Sequence, residues 1–119
     1  MFVRDLSKCK KFVAGDNTVL RELFNPLKDP LDLRYSLAHA IVKPGQTTRL
    51  HKLKTSEVYY ILSGTGNMFI GNKSKKVKAG QAIFIPPNAE QEIKNTGKKD
   101  LVFLCIVDPA WKKEDETLL

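Results

Sequence analysis

The stretch SEVYYILSGTG, residues 56–66, and the stretch GQAIFIPPNAEQEIKN, residues 80–95, decide the fold of this chain. Both stretches consist of short β-rich runs that end at glycine, proline or asparagine, and in NAEQEIKN, residues 88–95, Ala89, Gln91 and Ile93 alternate with Glu90, Glu92 and Lys94. Successive side chains of a β-strand point to opposite faces of the sheet, so this alternation predicts strands that are buried on one face. Similar segments recur from Arg34 onward at intervals of about ten residues, which predicts an all-β sandwich or barrel.

A chain of 119 residues is long enough to form one domain, and we predict a single domain over residues 1–119. The barrel is expected over residues 34–107, an N-terminal strand and loop over residues 1–33, and a tail over residues 108–119. No stretch approaches the roughly 20 consecutive apolar residues of a membrane helix, and the first residues lack the pattern of a signal peptide. Cys9 and Cys105 are too few for a disulfide scaffold. These features predict a cytoplasmic protein without a membrane partner.

Lysine and arginine outnumber aspartate and glutamate by 20 to 13, which gives a formal net charge of +7. A basic balance of this kind is also found in proteins that bind nucleic acids. The lysines, however, cluster in KCKK at 8–11, NKSKKVK at 72–78 and NTGKKD at 95–100, which are typical of loop tips and hairpin ends. No helix-turn-helix, zinc-finger or base-stacking motif accompanies them. We therefore predict a solvated basic surface and no nucleic-acid partner.

Three polar side chains, those of His51, Glu57 and Gln91, fall on strand faces that are otherwise apolar. Regular alternation also places Arg49 beside His51 and Tyr59 beside Glu57. Buried polar groups cost roughly a few kcal/mol unless they are paired, so their clustering indicates a site. These five residues are the candidate lining of a cavity, in which Arg49 could hold a carboxylate or phosphate. A solvated position at the strand end is the alternative for Arg49.

These residues resemble the first of the two sequence motifs of the cupin family. That motif combines a glycine, a His-x-His pair, a glutamate and a second glycine at fixed spacing. Gly45, His51, Glu57 and Gly64 match it, and Leu53 stands in the place of the second histidine.

The second cupin motif combines a glycine, a Pro-x-Gly sequence, a histidine and an asparagine. Gly80, Pro86 and Asn95 match it, whereas Asn88 occupies the place of the glycine and Gln91 that of the histidine. The resemblance covers about residues 34–107 and implies a jelly-roll β-barrel with an internal cavity. It also implies a homodimer, which the exposed sheet edges of a jelly roll favour as well.

The cupin motifs commonly hold one divalent metal ion through three histidines and one glutamate. This chain keeps only His51 and Glu57 of those four ligands; Gln91 could add an amide oxygen, and Leu53 offers no donor. We therefore expect the set His51, Glu57 and Gln91 to bind a metal ion weakly, with water completing the shell, or not at all.

The sequence thus favours a cupin barrel that binds a small polar molecule and has a reduced metal site. A metal-dependent enzyme of the dioxygenase, isomerase or lyase type, acting through His51, Glu57 and Gln91, is the alternative. A metal-free isomerase or epimerase with His51 as the base stays open too, with His51 and Glu57 forming an ion pair suited to acid–base chemistry. Neither the ligand nor the existence of catalysis follows from the sequence, and the pattern does not decide whether His39 faces the cavity.

Overall fold

The computed structural model describes the whole chain, residues 1–119, as eleven β-strands and two 3₁₀ helices, Leu6–Lys8 and Lys113–Asp115. Neither helix has the length and apolar character that crossing a membrane would require. The strands are β1 (Phe12–Val13), β2 (Val19–Phe24), β3 (Ser36–Val42), β4 (His51–Leu53), β5 (Ser56–Ser63), β6 (Thr65–Ile70), β7 (Lys73–Lys78), β8 (Ala82–Ile85), β9 (Gln91–Asn95), β10 (Leu101–Asp108) and β11 (Glu116–Leu118).

The strands form two antiparallel sheets that pack against each other. The larger sheet has six strands in the order β1-β2-β3-β10-β5-β8, and the smaller has five in the order β11-β4-β9-β6-β7. Strands that are neighbours in a sheet are often far apart in sequence, as β10 is from both β3 and β5. The predicted all-β jelly-roll barrel is confirmed.

The core lies between the inner faces of the two sheets. Phe103 and Ile61 from the six-stranded sheet meet Ile93 and Met68 from the five-stranded sheet, and all four are buried. Burying one such side chain contributes about 1.5–3 kcal/mol. Strand β10 alternates between buried and half-buried residues along its whole length.

Turns at the glycine positions of the two motifs fix how the strands enter the barrel. Gly64 has a φ of +92°, and a Cβ atom there would lie 2.8 Å from the carbonyl oxygen of Asp100. Asn88, in the place of the second motif's glycine, has a φ of 65°, which asparagine tolerates better than most residues. The Asn88 N–H donates to the Leu53 carbonyl oxygen at 2.7 Å, so this turn is tied to the strand that carries His51.

Both ends of the chain contribute to the sheets. Strand β1 pairs with β2, which joins the six-stranded sheet, and β11 pairs with β4 so that Leu118 lies opposite His51. The tail that the sequence predicts over residues 108–119 contains the 3₁₀ helix Lys113–Asp115 and the strand β11, of which the sequence pattern gives no sign. The returning tail brings Glu116 opposite Leu53, next to the candidate site.

Candidate ligand-binding site

A cavity of about 200 Å³ lies between the inner face of the six-stranded sheet, the N-terminal segment and the tail. Most of the residues that line it are apolar, among them Phe12, Leu20, Phe103 and Trp111. Strand β3 adds Ser36 and Ala38, whose small side chains leave the space open. The rest of the wall is polar, and its charged members are Asp16, Glu22, His51, Glu57 and Glu116.

His51 presents one ring nitrogen to this cavity. It lies at the start of β4 and is 3% exposed, and its Nδ1 is 2.7 Å from the carbonyl oxygen of Arg49. A carbonyl can only accept a hydrogen bond, so Nδ1 carries the hydrogen and donates it. Nε2 is left on the cavity side, 3.7 Å from Oδ2 of Asp16, which is too long for a hydrogen bond.

Glu57, Gln91 and Tyr59 form one buried hydrogen-bonded chain. The Tyr59 hydroxyl donates to Oε1 of Gln91 at 3.0 Å, and Nε2 of Gln91 donates to Oε1 of Glu57 at 3.0 Å. Gln91 lies opposite His51 where β4 and β9 pair, and its side chain connects the two sheets. Both ends of its amide are therefore occupied, and Gln91 fixes the orientations of the two cavity residues Glu57 and Tyr59.

Burial changes the charge state of the acidic wall. It raises the pKa of Glu57 to about 8; the hydrogen bond from Gln91 opposes this shift, and the negative charges of Asp16 and Glu116 add to it. The pKa of Glu116 is also raised by burial, against the attraction of His51. At neutral pH the carboxyl group of Glu57 is therefore mostly protonated.

The structure adds two charged residues that the sequence did not single out, Asp16 and Glu116. Asp16 is buried in a turn before β2, where its Oδ1 accepts hydrogen bonds from the backbone N–H of Thr18 (3.1 Å) and from its hydroxyl (2.7 Å). The Asp-x-Thr spacing is typical of such a turn, but it says nothing of where the turn packs. Glu116 reaches the cavity only because β11 pairs with β4.

Two expectations for the site are not met by the geometry. Arg49 is exposed and outside the cavity, with its Nε 3.4 Å from the carbonyl oxygen of Leu119, because β4 begins only at His51 and the alternation does not extend back to Arg49. The predicted ion pair between His51 and Glu57 is also not formed. The carboxylate within 4.0 Å of His51 is Asp16, and Glu57 is bonded to Gln91.

His39 lies on the other face of its strand, outside the barrel. It is opposite Leu104 of β10 and Arg21 of β2, and it is 8% exposed. Desolvation, and then the charge of Arg21, lowers its pKa. His39 therefore has no part in the cavity.

The side chains present do not fit the metal site of three histidines and one glutamate. Leu53 lines the cavity in the place of the second histidine, and the amide oxygen of Gln91 already accepts from Tyr59. No three histidine, cysteine, aspartate or glutamate side chains are arranged around a common point where an ion could bind. In this chain the four metal ligands of the motifs are therefore reduced to His51 and Glu57.

Comparisons with known proteins agree with the fold and the motifs. The family model of the cupin domain matches residues 38–107. An uncharacterised protein of Methanocaldococcus jannaschii is 40% identical over 97% of this chain and 92% of its own length. The oxalate-binding protein of Thermotoga maritima is 38% identical over 54% of each chain. A cupin 2 conserved barrel domain protein from Salinispora arenicola CNS-205 superposes with a TM-score of 0.78, at 15% identity, over 96% of this chain and 91% of its own. Because the family model covers more than half of its residues, this chain belongs to the cupin family.

Proposed function

We propose that this cupin binds a small molecule in the cavity beside His51 and Glu57. The observation that carries the proposal is that two buried residues, His51 and Asp16, turn polar atoms towards a largely apolar cavity, where Nε2 of His51 and Oδ2 of Asp16 make no hydrogen bond within the protein. Leaving such groups unpaired costs free energy, and a ligand that pairs with them recovers it. A relative that is named as an oxalate-binding protein supports a binding role.

Acid–base catalysis without a metal is the second candidate. The protonated carboxyl group of Glu57 and Nε2 of His51, which in the neutral ring with its hydrogen on Nδ1 can accept a proton, line the same cavity, so that an acid and a base face one bound molecule. Groups of this kind can transfer protons to and from a substrate. In this proposal His51 and Glu57 are the catalytic residues, and Tyr59 and Gln91 hold Glu57 in place.

Native mass spectrometry tests the binding function directly. We expect protein purified under non-denaturing conditions to carry an additional mass that is lost on denaturation. Replacing Ala38 in the cavity wall by phenylalanine should abolish this mass, because the new ring would occupy the space. An Ala79→Phe variant is the matched control, since Ala79 is exposed. Absence of extra mass from the wild-type protein, or its survival in Ala38→Phe, would count against the proposal.

We also propose that the chain forms a homodimer, through the outer face of the six-stranded sheet. Antiparallel sheets commonly have one apolar face and one solvated face, but here much of the outer face is apolar too. Exposed apolar patches larger than a few hundred Å² usually mark an interaction surface. The apolar residues that the strand registers place on this face, which they share with His39 and Arg21, are Leu37, Ile41, Val58, Tyr60, Phe84, Val102, Leu104 and Ile106.

Light scattering during gel filtration should give a mass twice the 13.4 kDa of one chain. A Tyr60→Lys variant should be monomeric, or dimerise at least tenfold more weakly, because it places a charge among the apolar side chains of this face. Tyr60 is 42% exposed, so the fold of one chain tolerates the change. Leu27→Lys, at an apolar residue that is 63% exposed in a loop, is the control and should remain dimeric. A monomeric wild-type protein would rule the dimer out.

We also propose that the protein is located in the cytoplasm. Cys9 and Cys105 are both free thiols, which is usual for proteins of a reducing compartment.

A further inference from the structure

The charge around the cavity is opposite in sign to that of the whole chain. The sequence has 20 lysines and arginines against 13 aspartates and glutamates, yet four acidic residues and no lysine or arginine line the cavity. One of the four, Glu22, is paired with Lys28 at 2.7 Å, and another, Glu57, is mostly protonated at neutral pH. The remaining two, Asp16 and Glu116, have no lysine or arginine within 4.0 Å.

Three polar atoms that face the cavity accept hydrogen bonds, and the protonated carboxyl group of Glu57 can also donate one. In the neutral ring with its hydrogen on Nδ1, Nε2 of His51 presents a lone pair. Oδ2 of Asp16 accepts no hydrogen bond, since Thr18 uses Oδ1. The hydroxyl hydrogen of Tyr59 is already given to Gln91, which leaves only its oxygen lone pair. A ligand that pairs with this wall must therefore bring donors.

We infer that the cavity selects a small ligand with a protonated amine on an apolar body, an inference that rests on the binding function proposed above. A primary ammonium group has three donors and no acceptor, so it matches this wall in hydrogen bonding and in charge. The rings of Phe12, Phe103 and Trp111 provide the apolar surface for the rest of the molecule. A carboxylate or phosphate ligand would find no lysine or arginine and would face Asp16 and Glu116. Oxalate should therefore not bind here, although one relative is named for it.

Two matched series of compounds test the ligand class by titration calorimetry at pH 7. The first is 2-phenylethylamine, 2-phenylethanol and phenylacetate, and the second is butylamine, butanol and butyrate. Within a series the apolar body is nearly constant and only the charge and the donors change. We expect the amine of at least one series to bind tenfold or more tightly than its alcohol, and its acid not to bind.

Variants of the wall assign the selectivity to its carboxylates. Asp16→Asn and Glu116→Gln should each weaken binding of the amine about tenfold and leave binding of the alcohol unchanged, because each removes one negative charge and keeps the shape of the side chain. Glu114→Gln removes a charge only two positions from Glu116 on the exposed side of the tail and should bind the amine as the wild type does.

The outcomes separate this inference from the function on which it rests. An alcohol or acid that binds as tightly as its amine would overturn the ligand class and leave the binding function standing. Equal binding of the amine by Asp16→Asn, Glu116→Gln and the wild type would also overturn it. If none of the six compounds binds, the inferred ligand class is wrong. If, in addition, the wild-type protein retains no extra mass in native mass spectrometry, the proposed binding function is wrong as well.

Discussion

The fold should lose about 2 kcal/mol of stability between pH 6.5 and pH 8, and a Glu57→Gln variant should lose little or none over the same range. Glu57 is 6% exposed and lies between the sheets, where its charged form is poorly solvated. Its pKa is about 8 in the folded protein, against 4.5 for an ordinary glutamate. The folded state therefore holds this proton in a range where the unfolded chain has released it.

The direction of the effect follows from proton linkage. Between the two pKa values the folded state binds more protons than the unfolded state, so the free energy of unfolding falls as the pH rises and levels off above pH 8. Each pH unit in this range costs about 1.4 kcal/mol, which gives about 2 kcal/mol between pH 6.5 and pH 8. His39 acts in the opposite direction below its usual pKa of 6.5, because burial lowers its pKa in the folded state. Above pH 6.5 the contribution of His39 is small, and comparison with Glu57→Gln separates the effect of Glu57 from that of Glu116, whose pKa burial also raises.

Urea unfolding at half-unit steps of pH measures this dependence. Glutamine at position 57 can still accept the hydrogen bond from Gln91, so the variant removes the titration and keeps the contact. Glu114→Gln is the control, and its free energy of unfolding should fall with rising pH as that of the wild type does, because Glu114 is exposed. A wild-type stability that stays constant over this range would show that Glu57 is already ionised in the folded state.

The sequence predicts the sheets and the buried positions of His51, Glu57, Tyr59 and Gln91 because all four residues lie on regular strands. Alternation is a local property, and it holds wherever backbone pairing is continuous. Arg49 was misplaced because it lies just before β4, where the pairing stops. Asp16 and Glu116 could not be found from the sequence, because a turn and a terminal strand are brought to the cavity only by contacts between distant parts of the chain. The charge of the cavity, which determines its ligand class, was therefore not visible in the sequence.

The two motifs also show which of their functions this chain has kept. Asn88 replaces a glycine and still adopts a positive φ, so the backbone role of that position survives. Leu53 and Gln91 replace histidines and keep only the buried, inward position of those residues. The motif positions that shape the backbone are thus retained, whereas two of the four that would bind a metal are not. In this chain Gln91 instead forms hydrogen bonds with Glu57 and Tyr59 that hold both side chains in place.

Replacing Gln91 by leucine should therefore destabilise the fold by about 3 kcal/mol, although the two side chains have similar volumes. Leucine can neither accept from Tyr59 nor donate to Glu57, and each buried polar group that loses its partner costs about 1–3 kcal/mol. Gln91 is 1% exposed, so water cannot take its place. Gln46→Leu, at an exposed glutamine, is the matched control and should change stability by no more than about 0.5 kcal/mol.

A double-mutant cycle separates the hydrogen bond from the packing at this position. Adding Tyr59→Phe to Gln91→Leu removes the hydroxyl that the first change leaves without a partner, so the double variant should be more stable than the sum of the two single effects by about 1 kcal/mol. The free energies of unfolding of the four proteins in urea give this coupling. Strict additivity would mean that the hydrogen bond from Tyr59 to Gln91 does not stabilise the fold. Positive coupling would mean that the histidine position of the motif now stabilises the fold through the hydrogen bonds that orient the cavity wall.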